Sequence, residues 1–257
     1  MQRINKERAT AKKLALQQVI NMKKPLFYLL WLSTLYTAKA QSFVWELGNN
    51  LTAYQYTQAN GEVIDYFKKG TGGHLQIGME FAMLDTANLQ AKALLGLKPN
   101  LRNRADFFTR NPLLARAASM LYTDVNLSYN QWNAVGDTQN IPINYSTNFV
   151  GVIAGIGPKI PLYAGFSLSV KGKCALQKLM QGTQQLNNNY LDLMTFEQFT
   201  PIQWMLGYQV ELSKKVNSKI QGFVNYQYLT SANAAKAGES HLIFKPQTLS
   251  MGIKIAP

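Results

Sequence analysis

The chain has 257 residues, a single cysteine, and 26 lysine and arginine residues against 13 aspartate and glutamate. One cysteine excludes an intrachain disulfide. The net charge of +13 overstates the case for nucleic acid: eight of the basic residues and one acidic residue fall in the first forty, so residues 41–257 carry +6, dispersed apart from the arginines at 102–116, and there is no basic stripe for a nucleic-acid partner.

Residues 1–21 are basic and polar (Arg3, Lys6, Arg8, Lys12, Lys13) and are expected to be an upstream extension, with Met22 the initiator. From Met22 the chain shows Lys23-Lys24, an apolar run over 26–36 and Ala38-Lys39-Ala40. That is the pattern of a cleaved signal peptide over 22–40, and the run is too short for a spanning helix. Gln41 follows, not cysteine, so no lipid anchor is signalled. Residues 41–257 are then expected to form one exported domain, a length suited to a single unit.

In chain order, 43–57 is expected to be a strand, with Trp45 and Tyr54 or Tyr56 near its ends, and 58–73 a polar loop holding Gly61, Gly70, Gly72 and Lys68-Lys69. Residues 75–83 alternate, with Gln76, Gly78 and Glu80 on the polar face. A partner strand over 89–97 would carry Lys92 on that face, although helix competes there because Ala, Leu, Gln and Lys favour it. Residues 99–120 lack a strand period and carry Arg102, Arg104, Arg110 and Arg116; they are expected to be a loop with a short helix over 112–120. Residues 121–132 alternate again, with Asp124 and Asn126 on the polar side, and 133–147 is expected to be a loop.

Residues 150–156 and 166–172 form a second hairpin whose polar face continues through Lys171 and Lys173. Two lysines at neighbouring inward positions fit a wet lumen better than a dry core. A Gln- and Asn-rich loop is expected over 177–200.

The clearest hairpin is 202–212 with 220–228. Ile202, Trp204, Leu206, Tyr208, Val210 and Leu212 share one face, as do Ile220, Gly222, Val224, Tyr226 and Tyr228; Gln209, Glu211, Asn225 and Gln227 lie opposite. Period two means strand, and setting Leu212 opposite Ile220 brings Trp204 opposite Tyr228, with all apolar residues together. After a loop over 230–245, a last strand carries Leu249, Met251, Ile253 and Ile255 on one face and Lys254 on the other.

Strands of about ten residues match a tilted bilayer crossing. No stretch after Gln41 is long and apolar enough for a spanning helix, so a membrane protein of this kind must be a closed barrel. Nine strands are counted, whereas up-and-down closure needs an even number. The expected fold is all-β: a closed antiparallel transmembrane β-barrel of ten strands, with eight the alternative. Short turns would be periplasmic, with both termini, and long loops extracellular. Trp204, Tyr226 and Tyr228 are placed at the membrane interface.

The signal sequence, barrel-length strands running to the C-terminus, aromatic residues near strand ends and long polar loops together resemble small outer-membrane β-barrel proteins of Gram-negative bacteria. The Ala-Lys-Ala-Gln junction is similar to those of the Bacteroidota. The ending Ile255-Ala256-Pro257 departs from the terminal aromatic residue of many such barrels. The resemblance implies outer-membrane localisation, with membrane lipid and an envelope protein as partners.

His74 and His241 are the only histidines. The run Glu239-Ser240-His241 is not a triad, because adjacent residues cannot converge on one acyl carbon. No catalytic residue, metal site or cofactor is expected. The inward residues Gln76, Glu80, Lys92, Asp124, Asn126, Lys171, Lys173, Gln209, Glu211, Asn225, Gln227 and Lys254 mix both signs and can fill a small barrel by pairing with one another. The expected function is a structural or partner-binding barrel acting through loops at 99–120 and 177–200. Alternatives are a narrow porin-like channel, a lipid hydrolase or acyltransferase, and a soluble ligand-carrying barrel.

Overall fold

The structure is a computed structural model; it describes residues 41–64, 67–83, 111–138, 141–187, 189–196, 198–199, 202–232 and 240–256. The strands are β1 (Gln41–Thr57), β2 (Val63–Ile64), β3 (Phe67–Ala82), β4 (Leu121–Gln131), β5 (Ala134–Thr138), β6 (Ile141–Pro161), β7 (Phe166–Leu186), β8 (Asn189–Asp192), β9 (Gln203–Lys215), β10 (Ile220–Ser231) and β11 (His241–Ile255); helix α1 spans Pro112–Ser119.

All pairings are antiparallel. The hydrogen-bonded path runs through ten strands, with β8 branching from β7. Eight of the ten close a ring, since β1 pairs with β3 on one side and with β11 on the other. The other two, β2 and β5, prolong crossings already made. β5 continues β4 against β6 in one register, Gln131 opposite Asn148 and Ala134 opposite Tyr145. β2 leads into β3 against β1. Closure removes the exposed edges that an open sheet would offer for aggregation.

Up-and-down order puts both barrel termini and the tight β6–β7 and β9–β10 turns at one end, the terminal end. The β1–β2, β5–β6, β7–β8 and β10–β11 connections lie at the distal end. β3 finishes and β4 starts at the terminal end, where Met83 N–H donates to the Leu121 carbonyl. The connection over 84–120 therefore leaves and returns on the side of the short turns, which corrects its assignment to the long-loop side. The expected strand over 89–97, with Lys92, lies outside the described residues.

Several segments expected to be loops are strand. Residues 67–73 belong to β3, 133–147 mostly to β5 and β6, 177–192 mostly to β7 and β8, and 241–245 to β11. The reason is a reversal of polarity along the strands. In the terminal half the apolar residues point out: Phe43, Trp45 and Leu47 on β1, and Leu249, Met251, Ile253 and Ile255 on β11, are all exposed. In the distal half the same strands turn Tyr54, Leu242 and Phe244 inward and carry Gln55, Lys245 and Gln247 outward. The terminal part is an inside-out, membrane-spanning barrel; the distal part is built like a water-soluble one.

The β9–β10 register also differs from expectation. Leu212 lies opposite Val224, and Tyr208 opposite Tyr228. β9 runs on to Lys215, so the turn tightens; Val216 N–H donates to the Ile220 carbonyl, and Asn217 Oδ1 accepts from the Lys219 and Ile220 N–H groups. The displacement is even, so every side chain keeps its face.

Candidate functional site

The lumen is the candidate site, because the polar sequence positions converge there. Gln76, Glu80, Asp124, Asn126, Lys171, Lys173, Gln209, Glu211, Asn225, Gln227 and Lys254 are each no more than 4% exposed. Strands two or three apart in the ring bring opposite charges together across the lumen. Lys171 Nζ lies 2.6 Å from both Glu80 Oε2 and Asp124 Oδ2. Lys173 reaches Asp124 Oδ1 at 2.6 Å. Lys254 joins Glu80 and Glu211, again at 2.6 Å. Lys159, nearer the terminal rim, contacts Glu80 at 3.0 Å. Such charge-assisted bonds hold when every member is paired.

A small residue on β6 makes room within this layer. A Cβ at Gly155 would lie within 3 Å of the Lys173 Cδ, Cε and Nζ atoms. Glycine there gives the lysine stem room to pass over β6 toward Asp124. A cavity within this layer, lined in part by Glu46, Gln76 and Gln209, measures about 10 Å³, room for about one water.

Ser128, Asn130 and Ser250 are also buried lumen residues, as are Glu46, Asn50, Gln177 and Thr248, and sequence reasoning did not single the last four out. The signal that could have found them is parity: each shares the inward phase of its strand. His74 lies among them. Its Nε2 is 3.1 Å from Glu46 Oε1 and its Nδ1 is 2.6 Å from Asn130 Oδ1. The Ser250 hydroxyl donates to Glu46, not to the imidazole. His241 opens β11 opposite Thr57, and its Nδ1 makes no hydrogen bond.

Above the charged layer sits an apolar one. Tyr54, Trp132, Phe149, Phe199 and Phe244 pack with Leu179, Leu193, Met205, Leu229 and Leu242. Trp132 and Phe149 ring centroids are 4.3 Å apart, and Phe244 meets Tyr54 edge-on at 4.9 Å. The Tyr54 hydroxyl donates to the Trp132 carbonyl at 2.6 Å and lies 3.0 Å from Thr147 Oγ1, satisfying the polar tip of a buried ring. Leu193 and Phe199 come from the segment between β8 and β9, which dips into the mouth.

The expected interface aromatics all point outward. Trp204 is 45% exposed and Tyr226 37%; Tyr228 packs beside Tyr208 with centroids 5.8 Å apart. Tyr226 and Tyr228 face Leu249 and Gln247 of β11, where the outward row on β11 changes from apolar to polar.

Among solved structures, Neisserial surface protein A is 8% identical, with 83% of this chain and 97% of that chain covered and a TM-score of 0.39. Outer membrane protease OmpT from Escherichia coli is 8% identical over 86% of this chain and 98% of that chain, with a TM-score of 0.41. Outer membrane protein OprG from Pseudomonas aeruginosa is 11% identical over 85% and 98%, with a TM-score of 0.36. No protein-family model matches the chain, and no curated protein matches it.

Proposed function

We propose that the protein is a non-conducting outer-membrane barrel, exported through a cleaved signal peptide, that serves as a structural or partner-binding element with its distal end outside the cell. The observation behind this reading is the double seal of the lumen. A layer of crossed ion pairs and an aromatic plug lie in series, and a diffusion path needs a wet route through both. Among the described residues these two layers weigh against the channel alternative. Against the lipid-enzyme alternative, both His74 nitrogens face Glu46 and Asn130 inside the barrel, and among the described residues no serine is bonded to a histidine that could activate it.

The contact surface best suited to a partner is the segment after β7. While Leu193 and Phe199 plug the mouth, Tyr190, Leu191, Met194 and Phe196 beside them are 69%, 41%, 40% and 40% exposed. Clustered apolar side chains on the polar-walled end mark an interaction surface. Planar-bilayer recording tests the proposal. Purified protein should add no current above that of the bare bilayer, and steady unitary steps would overturn it.

A further inference from the structure

The lysines of the lumen are matched by carboxylates, whereas two on the outer wall are not. Lys69 Nζ contacts only an amide, Gln247 Oε1, at 3.2 Å. Lys245 donates to another amide, Gln55 Oε1. Neither meets a carboxylate within ion-pair distance among the described residues. Both belong to one patch across β3, β1 and β11: Gln247 pairs with Leu51 and Lys245 with Ala53.

Directly toward the terminal end the outward residues turn apolar. Leu51, Leu47, Leu249 and Met251 are exposed, from 44% to 68%. The two ammonium groups therefore stand where an acyl chain gives way to a headgroup. A lipid phosphate would meet two unpaired cations and two amide groups while its chains lie along the leucines. A free anion would gain only the charges.

We propose that Lys69 and Lys245 form a clamp for the phosphate of a membrane lipid on the outer wall, at the distal rim of the apolar belt. The proposal rests on that belt being in the membrane, which is checked separately because a protein without a lipid-facing belt would stay soluble when detergent is removed.

The test is native mass spectrometry of the whole barrel in zwitterionic micelles doped with phosphatidic acid. The expected result is one lipid retained per barrel. K69A/K245A should weaken retention about thirtyfold, from about fivefold per lysine near a membrane surface. K178A, which removes an outward lysine on β7 across the barrel, should change little, and inorganic phosphate at millimolar concentration should not displace the lipid. Equal retention by K69A/K245A, an equal loss with K178A, or displacement by inorganic phosphate would each overturn the clamp. Tryptophan fluorescence in lipid-free micelles verifies that each variant folds; should K69A/K245A not fold, K69Q/K245Q replaces it with the same expected loss.

Discussion

Glu80→Gln is the sharpest perturbation of the charged layer. Glu80 is 3% exposed and accepts from Lys159, Lys171 and Lys254 at 3.0, 2.6 and 2.6 Å. Glutamine keeps the shape and removes the charge. Each lysine then keeps one partner: Gln221 for Lys159, Asp124 for Lys171 and Glu211 for Lys254. Among the described residues the lumen holds Glu46, Glu80, Asp124 and Glu211 against Lys159, Lys171, Lys173 and Lys254, so the substitution leaves one surplus cation in a poorly solvated layer. Breaking a buried ion pair from one side costs about 3–5 kcal/mol. The upper part of that range does not apply, because the least buried lysine, Lys159, can move its ammonium toward the terminal rim; about 3 kcal/mol is expected. Equilibrium urea unfolding of barrels in lipid vesicles, followed by tryptophan fluorescence, gives the number. Adding Lys159→Met to Glu80→Gln removes the surplus charge, so the double variant should regain about half the loss. A loss under about 1 kcal/mol, the scale of a solvent-exposed pair, or a double variant less stable than Glu80→Gln alone, would refute the matched-charge account.

Further outcomes follow from the same geometry. Phe244→Ala removes a ring with no exposure, 4.9 Å from Tyr54 and 5.8 Å from Phe199; urea unfolding should show a loss of about 3–5 kcal/mol. Phe149→Ala combined with Phe244→Ala should still give no current in planar bilayers, because the ion-pair layer remains. Cys174, exposed between Ala154 and Leu206, should react in vesicles with a membrane-partitioning maleimide and resist a charged one. Gly155→Ala should destabilise the barrel by about 1–3 kcal/mol, read by urea unfolding, since its Cβ meets the Lys173 stem.

The terminal half was legible in the sequence because its strands obey one simple rule. Alternation with apolar residues outward identified β9, β10 and the ends of β3 and β11, and the inward phase gathered Glu80, Asp124, Lys171, Lys173, Glu211 and Lys254. The distal half was hidden by inversion of the same rule. Ile143, Tyr145, Thr147 and Phe149 alternate as well as any strand, but with polar residues outward. They follow polar, glycine-containing sequence that favours a loop reading. His74 shares the inward face of β3 with Gln76 and Glu80. Its partner, Glu46, comes from β1, and such a cross-strand contact requires a register that one strand does not encode. The β3–β4 connection was misplaced for a related reason: nine counted strands gave no parity, and parity alone fixes which end a loop occupies.

Single-tryptophan barrels in vesicles of acyl-chain-brominated lipid test the central claim most directly, because bromine quenches only indoles that touch the chains. A protein keeping Trp204 should be strongly quenched, and one keeping Trp132, 1% exposed inside the barrel, should not. Strong quenching of Trp132 with a bright Trp204 would contradict the account.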